Sequence, residues 1–283
     1  MFERVVAAYD GSEGSVAAAR LAFALTSAGG RVTLLHVLEL PDPELELDPG
    51  IRRLVELARE DWAGRMAALA GDAPASLTVD GDVLVAGGVA RTLLDVARDN
   101  DAQLVAAGTG AGGELRQALL GSVSEQLLEH APCSVLLVGD EPMPTAPVVV
   151  AALDGSPSTG AVLAAAERAA VALDARLVLA HVVEQRWPLT LQELTDALSE
   201  PARERGRRVL AEARASVALP PERVEERLLE GRPRTELVAL SAELRPALLV
   251  VASRGDRGFP GLLLGSTARH LAHTPGRPVL VVR

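Results

Sequence analysis

The sequence predicts an α/β fold made twice: two tandem doubly wound domains, each a five-stranded parallel sheet flanked by helices. Two observations carry this. Short, continuous apolar runs alternate with longer helical stretches, the pattern of strands buried on both faces and joined by crossovers. The whole pattern then repeats. Tyr9-Asp10-Gly11-Ser12 returns as Leu153-Asp154-Gly155-Ser156, and Leu35–Leu38 as Ala180–Val183. The segment opening at Gly88 returns at Gly231, and Leu119-Leu120-Gly121-Ser122 as Leu263-Leu264-Gly265-Ser266, at offsets of 143 to 145 residues. One register over nearly all of the 283 residues marks a duplicated domain. The expected domains are 1–140 and 146–283. They are joined by the proline-rich segment 139–147, whose prolines lack backbone donors and disfavour helix and central strand.

The elements follow in order. Each half opens on an apolar strand, Arg4–Tyr9 and Val148–Leu153, cut off by Asp-Gly-Ser. Ala-rich helices are expected over Ser15–Ser27 and Thr159–Leu173. Second strands are expected over Arg31–Leu38 and Arg176–Val183. Long helices follow over Asp48–Leu69 and Leu191–Val217, the first after the acidic, proline-containing loop 39–49. Third strands (Leu77–Ala86 and Val224–Leu229) lead to Gly88 and Gly231. Third helices cover Arg91–Asp99 and Arg234–Leu244, and fourth strands cover Leu104–Ala107 and Leu248–Ala252. A glycine-rich loop and a fourth helix ending near His130 and His273 come next. The last strands are Ser134–Val138 and Pro278–Val282.

Composition excludes several classes. Hydrophobic residues make up 48% and aromatics 2%, so the cores are built from Ala, Val and Leu. No apolar run is long enough to span a bilayer. The N-terminus lacks the basic and apolar regions of a signal peptide, so a cytoplasmic location is expected. A net charge of −10 without a basic stripe argues against nucleic acid. Arg203–Arg208 is interleaved with glutamate and reads as a solvated helix face. The single Cys133 permits no internal disulfide and reads as a small buried hydrophobe.

In an open α/β sheet, ligands bind beyond the carboxyl ends of the strands, where the strand order reverses. Asp10 and Asp154 end the first strands, Gly88 and Gly231 the third, and glycine-rich loops the fourth. All three duplicated loops therefore fall on one edge. The fourth-strand loops run Gly108-Thr109-Gly110-Ala111-Gly112-Gly113 toward Gly121-Ser122, and Ala252-Ser253-Arg254-Gly255 toward Gly265-Ser266. Glycines let backbone amides turn toward an anion. A Gly-Ser at a helix start adds free amides, a positive dipole end and a hydroxyl, which suits phosphate. Residues 108–113 match G-x-G-x-x-G, yet they follow the fourth strand and the second copy lacks the match, so a dinucleotide fingerprint is rejected. No Walker A sequence occurs.

With these motifs in hand, the chain resembles a tandem universal stress protein of the nucleotide-binding branch, over essentially both halves. The resemblance implies a Rossmann-like fold of the adenine-nucleotide α-hydrolase type. It also implies an aspartate and a backbone site after the second strand holding adenine and ribose, with the glycine loop and Ser/Thr holding phosphates. Carried over by position, the first site is Asp10, Val37, Gly108, Gly121 and Ser122. The second is Asp154, Val182, Gly255, Gly265 and Ser266. Both copies depart from the pattern Gly-x-x-Gly, nine residues, Gly-Ser/Thr: Ala111 replaces the second glycine in one and Ala252 the first in the other. If the lost glycine is left-handed, alanine costs on the order of 1 kcal/mol. Arg254 and Arg257 lie near the second site's phosphates, whereas the first offers Glu114 before Arg116, so tighter polyphosphate binding is expected at the second.

Other readings were weighed. Asp10 and Asp154 also suit turn and cap roles; duplication at the ligand edge favours contact. His36 and His181 have no duplicated catalytic partner and read as structural. His270 and His273 have only His130 as counterpart, so a metal site is rejected. Thr92 and Thr235 read as helix caps, with Arg91 and Arg234 contacting phosphate or an acidic neighbour. The expected function is that of a stress-response regulator binding ATP with Mg²⁺, acting through conformation or partner binding. The alternatives are a scaffold that has lost nucleotide, or a slow ATP hydrolase; without a duplicated nucleophile–base pair the chain is not read as an enzyme. The last strands are expected at sheet edges, giving either a pseudo-symmetric monomer or a homodimer.

Overall fold

A computed structural model describes residues 2–40, 48–110, 121–142, 144, 146–184, 192–254, 264–274 and 277–283, with backbone alone over 192–199. The chain divides into two units, Met1–Glu141 and Pro142–Arg283.

The first unit holds β1 (Phe2–Ala8), α1 (Glu13–Leu25), β2 (Thr26–Glu39), α2 (Pro49–Ala70), β3 (Thr78–Ala86), α3 (Val89–Asp99), β4 (Leu104–Gly108), α4 (Ser122–His130) and β5 (Ser134–Val138). Its strands lie in the order β3-β2-β1-β4-β5, with all described pairings parallel. The second unit holds β6 (Val148–Ala152), α5 (Thr159–Ala172), β7 (Arg176–Glu184), α6 (Gln192–Ser216), β8 (Val224–Gly231), α7 (Pro233–Leu244), β9 (Leu248–Ala252), α8 (Ser266–Ala272) and β10 (Val279–Val282). Its order is β8-β7-β6-β9-β10, again parallel. This is the predicted fold. The inner strands are buried along their length, as Leu104–Ala107 and Val148–Ala151 show, because helices cover both faces of a parallel sheet. Among the described residues, no helix is long and apolar enough to cross a membrane.

The chain order reverses between β1 and β4 in one unit and between β6 and β9 in the other. Loops after these strands diverge there and leave a crevice. Asp10 and Gly108 flank the first crevice; Asp154 and Ala252 flank the second.

Local chemistry sets the element ends. Ser12 caps α1, its hydroxyl accepting from Ser15 N at 3.2 Å. Asp48 caps α2, with Pro49 opening the helix. The largest boundary difference from expectation lies between α1 and β2. The first helix ends at Leu25 and strand pairing begins at Thr26, not Arg31. Thr26 is extended, its hydroxyl donates to Ala22 O at 2.7 Å, and Ser27 reaches Phe2 O at 3.1 Å. Gly29, at φ 81°, supplies the irregularity before regular pairing resumes at Arg31.

Candidate functional site

The Asp-Gly-Ser turns have the same backbone in both units. Gly11 has φ 77° and Gly155 φ 76°, a left-handed conformation that side chains disfavour. Asp10 Oδ1 accepts from Ser12 N at 3.0 Å and Ser12 Oγ at 2.5 Å. Asp154 Oδ1 accepts from Ser156 N at 3.0 Å and, at 3.4 Å, from Thr159 Oγ1. Both aspartates are exposed at the rim of the sheet. Burial of part of the Asp10 carboxyl pushes its pKa up, but the bonds from Ser12 and Ser15 outweigh this and hold it below the usual carboxylate value. Asp10 is therefore a fixed anionic acceptor.

Val37 and Val182 lie inside β2 and β7, near the carboxyl ends of the strands, within the spans expected from sequence. Their neighbours explain how they can still meet a ligand. Tyr9 N donates to Leu35 O at 2.9 Å and Leu40 N to Ala86 O at 3.0 Å. Alternate residues of a parallel strand turn their polar groups to opposite neighbours. Val37 thus turns its amide and carbonyl toward the β1 side, beyond the point where β1 has ended. In the second unit Leu153 N donates to Ala180 O at 2.8 Å, so Val182 has the same aspect beyond β6.

Both histidines brace this corner. His36 Nδ1 lies 2.8 Å from Tyr9 O, and His181 Nδ1 2.8 Å from Leu153 O. A carbonyl can only accept, so each Nδ1 carries the proton and donates. Burial holds the His36 pKa below the ordinary imidazole value; the Tyr9 carbonyl and the Asp10 charge pull it up, and Arg65 adds to the depression.

The fourth-strand loops turn in matching ways. Thr109 N donates to Val138 O at 2.9 Å and Ser253 N to Val282 O at 2.8 Å. Gly121 N reaches Thr109 O at 3.3 Å, and Gly265 N reaches Ser253 O at 2.6 Å. Gly121 and Gly265 then serve as N-caps of α4 and α8 without side-chain capping bonds. Their helices open on the exposed Ser122 and Ser266. Each unit thus presents a fixed aspartate, a strand-edge amide and carbonyl, and a helix start beside one crevice. Gly255, Ala111, Glu114, Arg116 and Arg257 lie outside the described residues.

Gly108 has a packing reason to be glycine. Its φ is not left-handed, nor is that of Ala252. A Cβ on Gly108 would stand 2.8 Å from Ser15 N and 2.9 Å from Gly14 C. Glycine is required because the end of β4 passes against the first turn of α1. In the same 144-residue register, Gly14 corresponds to Ser158 and Gly108 to Ala252. There α5 starts at Thr159, two residues later than α1 does in that register. Ala252 is not left-handed, so the strain expected there is absent.

Gly88 and Gly231 also differ. Gly88 is extended at φ −175°, whereas Gly231 has φ 148° and a Cβ there would meet Glu236 Oε1 at 2.5 Å. Thr92 donates its hydroxyl to Gly88 O at 2.8 Å, and Arg91 pairs with Asp95 at 3.9 Å.

Two residues beside the first site went unnoticed in the sequence. Trp62 of α2 stacks on His36 with ring centroids 3.6 Å apart at 17°, and meets Tyr9 edge-on at 5.9 Å. A Cβ on Gly11 would stand 3.3 Å from the indole. Arg65 lies 4.9 Å from the Trp62 ring and pairs with Asp61 at 2.9 Å. Their counterparts in register are Gly206 and Val209. The repeat that revealed the shared residues would have revealed this contrast too.

Comparison with known proteins now settles kinship. A sequence model of the universal stress protein family matches residues 1–139 and again 147–283. The chain belongs to the universal stress protein family. Universal stress protein Rv2623 of Mycobacterium tuberculosis is 32% identical over 216 residues, covering 73% of this chain and 69% of that protein. Universal stress protein Mb2028c of Mycobacterium bovis is 29% identical over 304 residues, covering 99% and 96%. A universal stress protein structure from Archaeoglobus fulgidus matches with a TM-score of 0.65 at 18% identity, covering 99% of this chain and 96% of that one. At that identity the structural likeness speaks to the fold.

Proposed function

We propose that each unit of this universal stress protein binds an adenine nucleotide at its crevice, and that occupancy regulates conformation or partner binding in a stress response. The observation that carries the reading is the convergence, seen twice, of a left-handed Asp-Gly-Ser turn, an outward-turned strand backbone and an uncapped Gly-Ser helix start. Adenine presents an acceptor at N1 and a donor at its amino group, which complement the amide and carbonyl of Val37 or Val182. The low-pKa Asp10 accepts from ribose hydroxyls; in the second unit Asp154 has that role. The amides at Gly121-Ser122 and Gly265-Ser266 face the phosphates. Among the described residues no three His, Cys, Asp or Glu gather as a metal group, so Mg²⁺ travels with the polyphosphate. Asp10, held by two serines, suits ligand holding better than proton transfer, and the reading assigns no catalytic step.

Calorimetric titration of ATP–Mg²⁺ into nucleotide-stripped protein tests this. Wild type is expected to bind. Asp10→Ala and Asp154→Ala should each weaken a different site by about tenfold or more, through loss of a charged hydrogen bond. Asp10→Asn, which keeps an acceptor for Ser12 N, separates turn from charge. An absence of wild-type binding, or a double variant that binds like wild type, overturns the reading and leaves the scaffold role.

A further inference from the structure

We propose that Trp62 is a positioning and specificity-determining residue of the first unit's site, an inference that rests on the nucleotide reading above. The indole touches the neighbours of both groups assigned to the base and ribose. On one side it lies against Gly11 and Tyr9, the residues flanking Asp10. On the other it stacks on His36, the residue before Val37. His36 in turn bonds Tyr9 O at 2.8 Å, which closes a ring of contacts from turn to strand and back. Gly11 has no side chain, so the indole reaches the turn backbone directly. Arg65 holds the outer side of the indole, itself tied to Asp61.

This ring fixes the separation between the Asp10 carboxylate and the Val37 amide and carbonyl. Hydrogen bonds to a base edge depend steeply on distance and angle, and a purine tethered at its ribose cannot follow a backbone that drifts. Guanine presents its donor and acceptor in the opposite order from adenine, so a fixed Val37 discriminates between them. The second unit lacks the spacer. A Cβ on Gly206 would meet His181 Cδ2 at 2.8 Å and Leu228 Cδ1 at 2.7 Å, so α6 rests directly on the sheet. There Val209, not an aromatic ring, approaches Gly155, 3.0 Å from where a Cβ would stand.

The test uses the full chain carrying Asp154→Ala, which isolates the first site, titrated with ATP–Mg²⁺ and with GTP–Mg²⁺. Trp62→Leu should weaken ATP about tenfold and GTP much less, so that the ratio between the two collapses. Trp62→Phe, which keeps a flat ring over His36, should restore the ratio to within about threefold of its parent. Equal weakening of both nucleotides would assign Trp62 a purely structural role and overturn the proposal, as would an unchanged ATP affinity. Failure of ATP to bind even the parent with Trp62 intact, while the unmutated chain binds, would show that the first unit holds no nucleotide. Failure of both would overturn the nucleotide reading itself.

Discussion

Helix α2 and helix α6 occupy equivalent places, yet they meet their sheets by different means. Helix α2 stands on an indole, Trp62, which lies flat on His36. Helix α6 has Gly206 at the same register position and descends until its backbone touches His181 and Leu228. The contrast teaches how duplicated domains diverge. The strand order and the left-handed glycine of the Asp-Gly-Ser turn are kept, while the packing of a helix on the sheet edge differs at one register position. A second contrast lies across the crevice, where Gly14 and Gly108 meet backbone to backbone in one unit and Ser158 and Ala252 replace them in the other.

The largest effect should come from breaking that second contrast. Gly108→Ala forces a methyl within 2.8 Å of Ser15 N, and denaturant unfolding should show a loss of about 2–3 kcal/mol. Ala252→Gly has no such clash to relieve and should cost under about 1 kcal/mol. A gain in stability from Ala252→Gly would show that the methyl is crowded and that the later start of α5 leaves no room for it. The helix contrast comes next. Alanine in place of a helical glycine ordinarily gains about 1 kcal/mol, as Gly64→Ala in α2 should, since nothing lies within 4 Å of its Cβ position. Gly206→Ala should instead lose about 1–2 kcal/mol, because His181 and Leu228 occupy that space. A gain at Gly206 would mean that α6 can stand off its sheet as α2 does.

The smallest effect is a pH dependence. The depressed pKa of His36 means that the unfolded chain takes its proton first. The stability carried by the neutral ring is present above the unfolded value, about 6.5, and is lost as pH falls through the folded value. Asp10, also depressed, stays ionised in that window and loses its contribution only in the acid range below a normal aspartate. Unfolding free energy should fall as pH drops below about 6.5, and His36→Gln should flatten that slope. An identical slope in the variant would remove His36 from the account.

Much of the fold was legible because its signals are local and doubled. Continuous apolar runs such as Val148–Ala152 mark strands covered on both faces, and Asp-Gly-Ser marks a turn that only glycine fits comfortably. The start of β2 was harder to read. Thr26 and Ser27 suit either a helix end or a strand, and the outcome rests on contacts with Phe2, which is distant in sequence. Gly108 was expected in the loop but ends β4, and its packing role was hidden, since a close approach between α1 and β4 leaves no mark in composition. Trp62 and Arg65 were not legible because they lie mid-helix in α2, far in sequence from the turn and strand they touch, and have no like residues in the second copy. Gly255, expected in the second site, lies outside the described residues.

The Gly14–Gly108 contact has a further meaning for inheritance. The two glycines are held unequally: a side chain at Gly108 strikes the backbone of α1, whereas one at Gly14 meets the carboxylate end of Asp140, 2.7 Å from its would-be Cβ, which can swing away. A side chain at Gly108 needs the first turn of α1 to move. The first copy carries the glycine pair and the second carries Ser158 and Ala252. A chimera that brought alanine to position 108 while keeping the early start of α1 would carry a conflict that neither parent half contains.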